Sequence, residues 1–182
     1  RDDAVRLVHR YFDGLSPSAP LSRMHRRDSG LYGGVSLKMY DRVQLSRVYL
    51  TWPTPPRFHT DDAPLTFAAE ILAGGKTSRL YRSLVYDRQI AQDVRAHHFP
   101  SELAGEFGVE VTVASGYSCE QVEEILQAEI ERIRREPPTH EELTRAKNGI
   151  LTRHVQQLEL IGGFGGRADR LNSFNVLAGD PG

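Results

Sequence analysis

One cysteine, one tryptophan and two methionines are all that 182 residues contain of these types. With Cys119 alone, no intrachain disulfide can form, and thiols say nothing about compartment. No apolar run approaches the roughly 20 residues needed to span a bilayer. No sign of charge dominates: 23 Lys and Arg face 24 Asp and Glu, for a net charge of −1. Nothing in the overall field therefore points to nucleic acid, a membrane surface or a polyanion. Residues 1–60 do carry ten Lys and Arg against five Asp and Glu, and residues 61–182 thirteen against nineteen. That unevenness reads as solvated helix faces rather than a steering field. Arg1-Asp2-Asp3 is neither a start methionine nor a signal peptide, and reads as an internal position of a longer polypeptide.

Complete catalytic patterns are also missing. A helical metallopeptidase site needs two histidines one turn apart and a glutamate to activate water. His140-Glu141-Glu142-Leu143-Thr144 starts like H-E-x-x-H, but Thr144 stands where the second ligand belongs. The reversed order H-x-x-E-H is absent. Glu141 and Glu142 read instead as helix N-terminal acids. His97 and His98 are adjacent on a predicted strand, so they point to opposite faces and cannot readily chelate together. His9, His25, His59 and His154 have no ligand-spaced partner. Ser78 and Ser115-Gly116 lie outside any G-x-S-x-G elbow. Cys119 falls in a predicted first helical turn, which favours a thiolate, but it has no companion base in sequence. Gly74-Gly75-Lys76-Thr77-Ser78 imitates the end of a phosphate loop, yet Ala69 and Glu70 occupy the place of its first glycine. A helix also precedes it where a strand is required. No catalytic, cofactor-binding or metal-ligating residue is assigned to this chain.

What is present suits one globular domain. Hydrophobic residues make up 39% and charged residues 26%, with enough length for a substantial core. Ala4, Val5, Val8, Tyr11 and Phe12 recur at helical spacing over residues 2–13. Residues 16–34 read as an exposed connector rich in Ser, Pro, Arg and Gly. Strands are predicted over 35–40 and 43–52, with Val48, Leu50 and Trp52 on one face and Pro53, Pro55 and Pro56 ending the run. A helix opens near Thr60 and stops at Gly74-Gly75, burying Leu65, Ala68, Ala69 and Leu72. Another covers 77–87. Strands follow at 90–97 and 106–114; in the second, Phe107, Val109, Val111 and Val113 alternate with Glu106, Gly108, Glu110 and Thr112. Ser118-x-x-Gln121 and Thr139-x-x-Glu142 are capping boxes. The first opens a helix to residue 135 that turns Val122, Ile125, Leu126, Ile130 and Ile133 inward; the second opens one burying Leu143, Ala146 and Ile150 as far as residue 158. Gly162-Gly163 and Gly165-Gly166 interrupt, and 167–175 resumes as helix. The economical architecture is α+β: a two-layer sandwich of a mostly antiparallel sheet with helices on one face.

Five stretches carry a family resemblance in order and spacing. These are Asp41-Arg42-Val43-Gln44-Leu45 leading to Trp52-Pro53; Ile71 through Val85 around the glycine turn; Asp87-Arg88-Gln89-Ile90-Ala91-Gln92; Thr139-x-x-Glu142-Leu143-Thr144-Arg145-Ala146-Lys147; and Gly163-Phe164-Gly165-Gly166-Arg167-Ala168. Together they resemble the insulinase/pitrilysin family of zinc metallopeptidases. They are most similar to long bacterial members with two peptidase-like halves, and there to the second, non-zinc domain of the first half. The resemblance implies that residues 1–182 are one domain of a larger peptidase whose zinc and H-x-x-E-H lie in a neighbouring domain. It also implies a bacterial parent exported to the periplasm, and a place in the wall of a peptide-enclosing chamber. Members that complete an active site from a later domain use an arginine and a tyrosine; Val85 and Gln92 hold those positions here, and neither can donate to an oxyanion as those groups do. Two other readings stand beside this one. The chain could recruit a protein partner through an open sheet edge, or Glu70, Glu110 or His97 could contribute to the parent's chemistry.

Overall fold

The computed structural model of the protein describes residues 2–19, 22 and 33–180. The central strand is the one with the clearest alternation. Strand β3 (Gly105–Val113) lies between β1 (Arg47–Thr54) and β2 (Ala91–Pro100), antiparallel to both, in the order β1-β3-β2. Because strand side chains alternate, Phe107, Val109, Val111 and Val113 all face one side, where each is buried. Helix α2 (Asp62–Ala73), a π-helical segment (Tyr81–Asp87) and helix α3 (Cys119–Arg135) cover that side. They contribute Ala69, Leu72, Leu84, Val122 and Leu126 to a core shared with Val48 and Val94. The α+β sheet-and-helix architecture expected from the sequence is the architecture observed.

Local chemistry sets the element ends. Ser118 and Gln121 form a full capping box at α3, and Thr139 and Glu142 another at α4 (His140–Glu159). Gly74 and Gly75 end α2: a Cβ on Gly74 would sit 2.4 Å from the Glu70 carbonyl oxygen, and Gly75 has φ of +126°. Only glycine takes both places without strain. Helix α2 starts at Asp62, slightly later than the predicted Thr60, and Asp62 accepts the Phe58 backbone N–H at 2.9 Å.

Several expectations are corrected. Residues 35–40 form no strand; Val35, Leu37 and Met39 are each about four-fifths exposed, because an alternating run becomes a strand only where a pairing partner is available. Pro53 does not end β1 but lies within it, opposite Glu106. Helix α1 (Asp2–Phe12) forms as predicted, yet Val5, Val8, Tyr11 and Phe12 are all exposed, so its apolar stripe buries nothing among the described residues. Leu143 is exposed in α4, where Ala146 is the buried contact. The second predicted helix, expected over 77–87, becomes π-helical from Tyr81 and buries Ser83 and Leu84. Helix α5 (Arg167–Leu177) runs slightly beyond its predicted end. Most of the predicted connector 16–34, with His25, lies outside the described residues.

Polar ties fasten the helices to one another. Arg79 grips Glu142 with two bonds, Nε to Oε1 at 2.7 Å and Nη2 to Oε2 at 2.8 Å, and also donates to the carbonyls of Glu136 and Pro137. Such a planar fork on a carboxylate is among the stronger polar contacts. Glu129 on α3 is buried and accepts a 2.7 Å bond from Ser83 Oγ; its second oxygen lies 3.2 Å from Arg132 but in poor hydrogen-bond geometry. Glu70 on α2 pairs with Arg153 on α4, beside Gly149, where a Cβ would meet the carboxylate at 2.8 Å. The His98 ring is 1% exposed and lies between Thr54 and Thr66, 3.3 Å from each hydroxyl.

Two outcomes are expected. Leu126→Ala removes a fully buried side chain and is expected to cost about 2–5 kcal/mol, whereas Val8→Ala on the exposed stripe of α1 is expected to stay within about 0.5 kcal/mol. Urea unfolding monitored by circular dichroism measures both; equal losses would contradict the assigned core. The hydrogen bond from Arg79 holds Glu142 below its ordinary 4.5, at about 2, against the opposing effect of burial. A carboxylate depressed on folding stabilises above its unfolded pKa, and that stabilisation is lost as pH falls through the folded value. From about pH 5 to about pH 2 the native chain is therefore expected to lose about 3 kcal/mol more than Glu142→Gln. Parallel pH profiles would contradict the clamp.

Candidate functional site: the open face of the sheet

The face of β3 opposite the helices carries Glu106, Gly108, Glu110 and Thr112. Strand pairing brings further residues beside them in rows. Arg47, Thr112 and Asp93 form one row; Tyr49, Glu110 and Arg95 the next; Thr51, Gly108 and His97 a third; Pro53, Glu106 and Phe99 the last. No described helix covers this surface in the way that α2 and α3 cover the other. Tyr49 is 60% and Phe99 63% exposed. They stand on the same face but on opposite outer strands, two rows apart.

Close contacts order the face. Arg47 Nη1 donates to Glu110 Oε1 at 2.7 Å across the β1–β3 pair and lies 3.5 Å from the Tyr49 hydroxyl. The contact with Tyr49, followed by the charge of Glu110, keeps the Arg47 guanidinium above its ordinary value. Arg95 and Asp93 pair at 2.9 Å. His97 stacks on Phe99 at 4.4 Å between centroids, and its Nε2 lies 3.2 Å from Glu106 Oε1. The ring rests on the backbone of Gly108, where a Cβ would lie 2.4 Å from Nε2. Gly108 thus makes room for the His97 ring on the middle strand. The result is a surface of paired charges, an imidazole and two exposed aromatics.

The candidates from sequence are dispersed. His97 and Glu110 do lie on this face, each with an acidic or basic partner. Glu70 is on the helical side, paired with Arg153. His98 points inward, opposite to His97, as alternation requires. His140, Glu141 and Thr144 are exposed on α4, and Glu142 is held by Arg79 and its own capping box. Cys119 is half-buried at the first position of α3. Val85 is half-buried against the core, and Gln92 is exposed at the bulge between Ala91 and Asp93. Among the described residues no group of three or more His, Cys, Asp or Glu side chains converges as a metal site. The described donors do not fit a hydrolytic zinc ion, which needs three protein ligands. Among the described residues, no helix is long and apolar enough to cross a membrane. Sequence reading missed Arg79, Ser83 and Glu129, whose partners are far away in the chain. The one local sign was the burial register of α3, in which Glu129 follows Leu126 by one turn.

Comparison with known proteins places this geometry in a family. The profile of the peptidase M16 inactive domain matches residues 1–150. No curated protein matches the chain by sequence. Among solved structures, a protease from Helicobacter pylori superposes with a TM-score of 0.79 at 18% identity, covering 98% of this chain and 43% of that one. The inactive peptidase domain of a protein described as a zinc protease from Bordetella parapertussis gives 0.62 at 24% identity, covering 74% and 71%. A peptidase M16 inactive domain from Pseudomonas fluorescens gives 0.55 at 22% identity, covering 60% and 26%. The chain thus spans less than half of the Helicobacter protein's length. With the profile covering most of its residues, this chain belongs to the peptidase M16 inactive-domain family and is a non-catalytic domain of the peptidase type.

Proposed function

We propose that the chain is one domain of a longer zinc metalloendopeptidase and lines the space in which an extended peptide is held. The zinc and its activated water belong to a neighbouring domain of the same protein. The observation that carries this reading is the sheet face that no described helix covers, with Tyr49, His97 and Phe99 set among the paired charges of Arg47, Glu110, Arg95 and Asp93. An extended peptide presents alternating side chains and a polar backbone, and such a face offers aromatic surface and charged groups to both. Catalysis is not required of it. Support comes from the family match and from the dispersal of potential metal ligands. The Bordetella domain, described as the inactive part of a zinc protease, is similar to this chain in fold. Val85 and Gln92, where the resemblance implies an arginine and a tyrosine in catalytic partners, offer no cationic donor to a developing oxyanion.

The purified chain is expected to hold far less than one zinc and to cleave no peptide. Stoichiometric zinc together with chelator-sensitive cleavage would refute the non-catalytic assignment. In a nitrogen-15 NMR titration with an unstructured peptide, amide shifts are expected to cluster at Tyr49, His97, Phe99 and Glu110. Gly108→Val, which drives His97 from its seat, should weaken the response several-fold. Shifts confined to the helical side would rule out this face as the peptide-facing wall.

A further inference from the structure

The stretch from Tyr81 to Asp93 departs from regular structure in quick succession. Residues Tyr81–Asp87 are π-helical, Gln89 has φ of +55°, and β2 opens with the bulge between Ala91 and Asp93. π-Helical turns are rare, and a side-chain-bearing residue in the left-handed region is strained unless its surroundings hold it there. Departures so close together point to a common restraint.

That restraint is visible in the hydrogen bonds of Ser83 and Arg88. The Arg88 N–H donates to the Ser83 carbonyl at 3.2 Å, five residues back. The side chains of the same two residues also meet, Arg88 Nε donating to Ser83 Oγ at 3.3 Å. Ser83 Oγ donates in turn to Glu129 Oε1 at 2.7 Å, and both Ser83 and Glu129 are buried. Chemistry fixes the direction of each bond. A guanidinium has no acceptor, so the single Ser83 hydroxyl hydrogen goes to Glu129 and a lone pair to Arg88. The double tie between residues 83 and 88 fits only the wider register. In an α-helix, residues five apart lie about 140° apart around the axis, and Ser83 and Arg88 would face different sides.

We infer that Arg88, Ser83 and Glu129 form a lock that holds a two-state segment in its π-helical state, and that this lock sets how the chain enters β2. The alternative state is α-helical, with the Arg88 N–H turned from the Ser83 carbonyl to that of Leu84. The Leu84 carbonyl now accepts the Ile90 N–H at 3.0 Å. Ile90 immediately precedes β2, and its own carbonyl accepts the Ala114 N–H at 2.9 Å. Opening the lock therefore brings a second donor to Leu84, loosens Ile90 and frees the strained Gln89 between them. Through Ile90 the change reaches the bulge at Gln92 and the facing of Asp93. The lock acts whether or not the open face of the sheet meets peptide.

Solution NMR on the whole chain tests this. Scalar coupling across hydrogen bonds identifies the acceptor of each amide, and the native Arg88 N–H is expected to couple to the Ser83 carbonyl. Arg88→Met keeps the exposed stem and removes the side-chain donor. It is expected to move the Arg88 coupling to Leu84, to speed Ile90 amide exchange by about tenfold or more, and to shift amides from Leu84 to Asp93. Ser83→Ala removes the middle of the lock and should give the same set of shifts, the double variant adding little, as for residues of one network. Arg82→Met, on a neighbouring exposed arginine outside the lock, should leave Ile90 exchange within about twofold of native. Circular dichroism confirms that each variant folds, and Arg88→Met, which alters no buried residue, decides the matter if Ser83→Ala does not fold. A native Arg88 coupling to Leu84 would overturn the inference. So would an Arg88→Met variant whose shifts stay at residues 83, 88 and 129, or single variants whose effects add independently.

Discussion

The structure depends on the two-residue period of β3. Because that strand is central and paired on both sides, its alternation decides the facing of the whole sheet. Phe107, Val109, Val111 and Val113 draw the helices to one side by burying apolar surface, the main favourable contribution to folding. A slip of one residue would exchange that set for Glu106, Gly108, Glu110 and Thr112, which no apolar helix face could cover. The register is fixed by this difference, and the open face is its consequence.

The same arrangement disperses the described titratable side chains among the elements. Their positions serve to tie elements together around the apolar core. Glu142 and Arg79 join α4 to the segment after α2, Glu129 and Ser83 join α3 to the π-helical segment, and Glu70 and Arg153 join α2 to α4. His98 is enclosed where β1, β2 and α2 meet. Each of these groups is committed to a partner of its own.

Much of this was legible in the sequence because it is local. The alternation of β3, both capping boxes and the glycine stop of α2 depend on residues a few positions apart, and each was read correctly. What failed depended on distant partners. Residues 35–40 have the pattern of a strand but no pairing neighbour. The apolar stripe of α1 has helical spacing but no described surface to bury it. Pro53 looks like a stop until it is seen inside β1, opposite Glu106. Glu129 is a charge on a buried helical face, understandable only once Ser83 is found against it. Of the open face, His97 and Glu110 were singled out, whereas Phe99 and the seat provided by Gly108 were not, since a glycine's role as space beneath a ring is visible only in three dimensions.

The central claim is that the face of the sheet that no described helix covers, and not its helical side, meets peptide. Site-specific photocrosslinking tests it most directly. A benzophenone side chain placed at Thr51, on the open face, is compared with one at Glu124, exposed on α3. The account predicts that an added unstructured peptide is captured from Thr51 and not from Glu124. Capture from Glu124 alone, or equally from both, would contradict it.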